Sequence, residues 1–379
     1  MRHGVRFPYH TFGPEETVGR FEFVGPEIAK PVSDPCNADI GNVPQLLRQA
    51  GVRRVILVHG TFAGNDIIGL TREVARFSPT IAGHLNQLGK KWLDDLVGEL
   101  GNYTEDFVDC FSRLINPASF DPIPVHRFHW SGENHHLGRA NGVMALLDLL
   151  ATEHTGGRLL ILAHSHGGNV LAMVSQLLGA DLTVRRQFFE ATRLHYQVPL
   201  LGQIDLPSWQ RARQRLLSDN QESLPPIDVA SFGTPLRYRW NTQILPNQLH
   251  FVQHRPLDAE HPEQASFPGS LLDVINANAG DYIQQCGIVG TDFLPSMFAW
   301  RDWVVERRMQ RMFERGARRR DILKKLKQGR RVCCDGTTLL VDYPDTDDGW
   351  NRQLFGHGVY TCRQWLPFHL KQITSRFYS

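Results

Sequence analysis

The sequence predicts an α/β fold: a mostly parallel central sheet flanked by helices, with helical insertions between some of the strands. Three observations predict it. Two short apolar runs, Val55-Ile-Leu-Val58 and Leu159-Leu-Ile-Leu-Ala163, show no alternation, as expected of strands buried on both faces of a parallel sheet. Segments with helical spacing separate the strand-like runs, giving a β-α-β-α order. The second run also turns at once into a helical segment through Ala163-His-Ser-His-Gly167, with Ser165 at the apex of the bend.

The 379 residues could hold two domains, but α/β folds often run long as one. We read residues 46–379 as one domain, preceded by an N-terminal extension over residues 1–45. Helical insertions are expected at about 67–122, 183–226 and 296–330. A formal net charge of +2 argues against nucleic acid as a partner. The N-terminal residues lack an apolar core of signal-peptide length, and no stretch reaches the roughly 18 apolar residues of a membrane span. Six cysteines in a chain of this length do not resemble a disulfide scaffold. Adjacent Cys333 and Cys334 lie in an expected strand and read as free thiols. A cytoplasmic location is the resulting expectation.

Taken in order, Gly19 to Val24 alternates and reads as an edge strand. The run at Val55 leads into His59-Gly-Thr61. Residues 67–122 are largely helical in pattern, with Leu85, Leu88, Trp92, Leu93, Leu96 and Leu100 on one face. Residues 125–134 form a further strand whose end places Trp130, Glu133 and Asn134 at the rim of the C-terminal sheet edge, where ligands bind in open α/β sheets. His135 and His136 lack the ligand spacing of a metal site, and none is expected. Residues 139–153 read as a crossover helix with Val143, Leu146, Leu147 and Leu150 inward. Strands then follow at Ile227, Gln248 and Thr337, the first ending in Gly233-Thr-Pro235. Arg331 to Cys334 could form a hairpin with the last strand, turning at Asp335-Gly336.

A Ser perched between strand and helix sits in a strained turn, so its neighbours at minus two and plus two must be small for the backbones to approach. Gly167 fills one place and Ala163 the other. This stretch resembles the α/β-hydrolase superfamily, in particular its lipase-like members carrying Ala-His-Ser-x-Gly-Gly. His59-Gly-Thr61 and the Gly-Thr-Pro corner extend the resemblance. It implies a serine hydrolase acting on carboxylic esters through a Ser-His-Asp triad, with lipase, phospholipase or esterase substrates and no cofactor. Ser165 is then the nucleophile. The oxyanion hole takes one backbone N–H from His166 and, by the resemblance, the other from Thr61, while His59 holds the loop.

In that superfamily the order is Ser, acid, His. His357, between two glycines after the last strand, is the expected general base, and His369 a packed or surface residue. Asp292 is the first choice of acid from its apolar setting in Gly287-Ile-Val-Gly-Thr-Asp-Phe. Asp258, just past the strand at Gln248, is the alternative, with Asp281 and Asp342 behind them. Residues 301–331 are dense in Arg and Lys. They read either as a solvated helix face or as a peripheral contact with an anionic membrane, with Val304, Met309, Met312, Phe313, Ile322 and Leu323 on the apolar side. The same acyl-enzyme could serve an acyltransferase or thioesterase, and a hydrolase scaffold could be a non-catalytic binding protein.

Overall fold

The computed structural model describes residues 18–61, 103–117, 121–152, 156–198, 202–203, 206–218, 224–256, 260–265, 267–288, 300–313, 324, 326–344 and 356–379. In chain order the strands are β1 (Arg20–Val24), β2 (Val52–Val58), β3 (Val125–Phe128), β4 (Arg158–His164), β5 (Gln197–Val198), β6 (Gly202–Gln203), β7 (Ile227–Phe232), β8 (Asn247–Gln253) and β9 (Thr337–Val341). Among the described residues, strands β5 and β6 form a small antiparallel ribbon, and the others make one seven-stranded sheet in the order β1-β9-β8-β7-β4-β2-β3. Every neighbouring pair in that sheet is parallel. The expected α/β class with a parallel sheet is therefore what the chain adopts.

The helices among the described residues are α1 (Val43–Gln49), α2 (Glu105–Ile115), α3 (His136–Thr152), α4 (His166–Gly179), α5 (Leu182–Tyr196), α6 (Pro207–Leu217), α7 (Leu271–Ile275), α8 (Tyr282–Cys286), α9 (Trp300–Phe313) and α10 (Leu366–Phe377). They cover both faces of the sheet. The alternation of side chains along each strand decides which helices meet which residues. Ile56, Val58, Leu159, Ile161 and Val229 point into one core with α3, α4, α5, α6 and α9. Val55, Leu57, Leu160, Leu162, Phe232 and Leu339 point into the other, with α1, α2 and α10. This two-sided burial explains why the central strands read as unbroken apolar runs.

The connections place the site. From β2 the chain moves outward to β3, returns past β2 to β4, and then continues through β7, β8 and β9 in the opposite direction. The direction reverses between β2 and β4, and beyond the C-terminal strand ends at such a switch point is where ligands bind in open α/β sheets. The loop at His59 and the bend at Ser165 both lie there.

Some expectations change. Residues 331–334 form no hairpin with β9, because β8 and β1 occupy both of its edges as parallel neighbours. Cys333 and Cys334 are free thiols, though not in a strand. Cys36 and Cys110 are joined in a disulfide that ties the segment before α1 to α2. Strand β1, placed by the sequence in an extension, completes an edge of the main sheet. On α9 the buried residues are Val305, Glu306, Met309 and Phe313, so Met309 and Phe313 face the protein. The exposed side carries Trp300 and Trp303 instead. The helical pattern of residues 67–102, together with Ile322 and Leu323, lies outside the described residues. Among the described residues, no helix is long and apolar enough to cross a membrane.

Candidate active site

Ser165 follows β4 directly and precedes α4. Its backbone has φ 52° and ψ −131°, a conformation that L-residues rarely adopt. Hydrogen bonds from both sides hold it there. Its N–H donates to Phe232 O at 2.8 Å, extending the β4–β7 ladder by one residue. Its carbonyl accepts from Thr234 Oγ1 at 3.0 Å and from Gly168 N at 3.0 Å. Thr234 belongs to the Gly-Thr-Pro corner after β7, so that corner pins the bend.

Small residues are required here by contacts with other strands. A Cβ on Gly167 would meet Val58 O at 2.7 Å and His59 O at 2.6 Å, which are carbonyls at the end of β2. One on Gly60 would meet Ser165 Cβ at 2.6 Å. The β2 loop thus lies against the Ser165 side chain, and Thr61 follows in it, buried. His59 has the loop-holding place expected of it. Its Nδ1 contacts Gly60 O at 2.7 Å, and its carbonyl accepts from Trp130 Nε1 at 2.9 Å. Trp130, expected at the rim, stacks on the His59 ring.

His166 opens α4, so its N–H has no carbonyl one turn earlier in the helix to bond. Its ring is buried, which pushes its pKa well below the ordinary value, and Arg139, Arg237 and His357 act in the same direction. The ring is neutral and touches Asn169 Nδ2 at 3.1 Å.

His357 is fully buried at the same sheet edge. Its Nδ1 lies 2.7 Å from Asp281 Oδ2. A carboxylate only accepts, so Nδ1 carries the proton and Nε2 presents a lone pair. The His357 and His164 ring centroids lie 4.6 Å apart. Gly233, next to Phe232 whose carbonyl holds Ser165, also lies against this pair. A Cβ there would meet Asp281 Oδ2 at 2.7 Å and His357 Cε1 at 2.9 Å. Ser165 and His357 therefore both meet the corner after β7. The Ser165 hydroxyl is buried and makes no hydrogen bond in this conformation.

The carboxylate at His357 is thus Asp281, which the sequence ranked behind Asp292 and Asp258. Both of those lie outside the described residues. Asp281 reaches its place by an excursion of the chain. After β8 the chain leaves the sheet and returns, so that Asp281 N bonds Gln253 O at 3.0 Å, right at the end of β8. The topological position expected of the acid is filled by a residue much farther along. Asp281 also caps α8, its Oδ1 accepting from Gln284 N at 2.8 Å. Its Oδ2 takes a second bond, from Tyr360 OH at 2.9 Å. The sequence reading missed Tyr360. The signals were local: an Asp at a helix start after Gly280, and a Tyr one 3-10 turn beyond His357.

The remaining expected residues have other partners. His135 contacts Glu306 at 3.5 Å and Glu133 at 3.8 Å. His136 Nδ1 meets Tyr238 OH at 2.6 Å, and Asn134 accepts from Arg139 at 2.8 Å. His369 is packed, with Nε2 2.8 Å from Tyr343 OH. Among the described residues, no cluster of His, Cys, Asp and Glu is arranged to hold a metal.

Comparison with protein-family models, curated proteins and solved structures finds no match to this chain. The functional reading therefore rests on the geometry. One strained Ser, one imidazole with its tautomer set by a buried carboxylate, and amides at a helix start share one end of a parallel sheet. Such a set can support nucleophilic attack on a carbonyl.

Proposed function

We propose that the protein is a serine hydrolase of carboxylic esters with an α/β-hydrolase-like arrangement, acting through Ser165, His357 and Asp281. The observation that carries the reading is the pairing of Ser165, at positive φ between β4 and α4, with the buried Asp281–His357 hydrogen bond at the same sheet edge. The chain order Ser, Asp, His agrees with that arrangement.

In this reading His357 Nε2 takes the Ser165 proton as Oγ attacks the ester carbonyl. Asp281 holds the imidazole in the Nδ1–H tautomer and balances the imidazolium that forms. The oxyanion is met by the N–H groups of His166 and Thr61, and loss of one such donor costs on the order of 100-fold or more in kcat. His357 then returns the proton to the leaving alcohol, and water cleaves the acyl-enzyme by the same route. Hydrogen bonds of this kind are often long or unformed before substrate binds, so the unbonded Ser165 hydroxyl is compatible with the mechanism.

The membrane-facing part of the reading moves to the exposed side of α9, where Trp300 and Trp303 lie beside the exposed Arg307, Arg308 and Arg311. Tryptophan and basic side chains together suit an anionic lipid interface. The central test is labelling with a fluorophosphonate probe together with turnover of p-nitrophenyl esters. Ser165→Ala is expected to abolish both, and equal labelling of the variant would refute the assignment.

A further inference from the structure

Arg331 lies at the end of the stretch that the sequence offered as a solvated basic face, yet it has no exposed surface at all. Its Nη1 donates to Asp281 O at 2.6 Å and to Gln253 O at 3.0 Å. Its Nη2 donates to Gln285 Oε1 at 3.4 Å, and its guanidinium lies over the Tyr282 ring at 6.0 Å. Each of these acceptors is neutral. Taking a guanidinium out of water costs several kcal/mol, which neutral acceptors repay only in part. The nearby ionic group is Asp281, whose attraction opposes the lowering of the Arg331 pKa by burial.

The bonds close a ring. Arg331 binds the Asp281 carbonyl, and Asp281 N binds Gln253 O. Gln253 N donates to Tyr360 OH at 2.7 Å, and Tyr360 donates to the Asp281 carboxylate that holds His357. Asp281 arrives here from a long excursion, so β8 alone does not determine where its carboxylate points. The clamp on both carbonyls fixes the Asp281 backbone there, while Gln284 N and Tyr360 OH meet the carboxylate itself.

We propose that Arg331 is a positioning residue for the acid–base pair, clamping Asp281 to the end of β8 and holding a positive charge behind its carboxylate. This rests on the hydrolase reading above. Arg331 does not touch the reacting atoms. It acts through Asp281, fixing the backbone that carries the carboxylate so that His357 keeps its Nδ1–H tautomer. The pair is otherwise faced by His164, His166 and Tyr360, which remain unchanged in the variants below.

The test compares wild type, Arg331→Met, Arg331→Lys and Ser165→Ala, with rates normalised to sites titrated by a fluorophosphonate. Arg331→Met is expected to lower kcat by about 10- to 100-fold with KM changed by less than about twofold, because misplacing the catalytic groups is felt in the transition state. Loss of a positive charge near the pair makes imidazolium easier to form. The acid limb of the kcat/KM profile should therefore move to higher pH. Arg331→Lys keeps the charge and one clamp bond, and should restore the pH profile and most of kcat. An unchanged kcat per titrated site in Arg331→Met would overturn the proposal, as would a loss confined to KM. Failure of both Arg331 variants to fold would make the residue a folding element only and overturn it equally. If wild type and Ser165→Ala behave alike, it is the hydrolase reading that falls.

Discussion

At the scale of single residues, Ser165 carries a conformational cost that its neighbours maintain. A non-glycine residue in such a backbone state costs about 1–3 kcal/mol. The bonds from Thr234 and Gly168 and to Phe232 hold it in place. Glycine at this position relieves the strain, so Ser165→Gly is expected to melt a few degrees above Ser165→Ala, with both expected to be inactive. Equal melting temperatures in calorimetry would mean that the bend is not strained. The identity of the acid is also decided at this scale. Asp281→Asn keeps the shape but lets His357 take the wrong tautomer, and kcat should fall by the order of 10⁴. The same change at Asp292 or Asp258 should cost far less, and the opposite ranking in steady-state kinetics would move the acid away from Asp281.

Between elements, the joint of α9 with α3 has a distinct chemistry. Glu306 of α9 is buried and accepts from His136 N at 3.0 Å and Leu137 N at 2.8 Å, amides of the first turn of α3 that have no carbonyl within the helix to bond. Burial alone would raise its carboxyl. The neighbouring His136 and the bonds from His135 and Leu137 outweigh that and hold it well below the ordinary carboxylate range. A depressed folded value contributes stability that is fully present above the ordinary value of 4.5 and is lost as pH falls toward the folded value. Glu306→Gln should therefore melt below wild type near neutral pH, and its deficit should shrink on acidification to about pH 3. A deficit independent of pH would assign the effect to packing.

For the whole molecule, the disulfide links parts of the chain that the sheet alone does not join. Cys36 and Cys110 are separated by 74 positions, a span that includes β2. Closing a loop of that length removes unfolded-chain entropy worth about 4 kcal/mol in the simple model. Cys36→Ser with Cys110→Ser, or reduction of the wild type, should lower the melting temperature by on the order of 5 °C while leaving probe labelling of Ser165 intact. An unchanged melting temperature under reducing conditions would show that the bond contributes nothing to stability in solution.

The sequence by itself determined the class of fold, the bend at Ser165, the loop at His59 and the candidate His357. Each of these is written locally. An unbroken apolar run, small residues beside a serine, and a histidine between glycines after the last strand all reflect constraints that act within a few residues. Only the tertiary structure decided which carboxylate meets His357, because Asp281 returns to β8 from a distant excursion that no local pattern encodes. It also decided that Arg331 is a buried clamp, that Met309 and Phe313 of α9 face the core, and that Cys36 meets Cys110. These are meetings of residues far apart in the chain, and a side chain's burial and charge environment are set by what the fold packs against it.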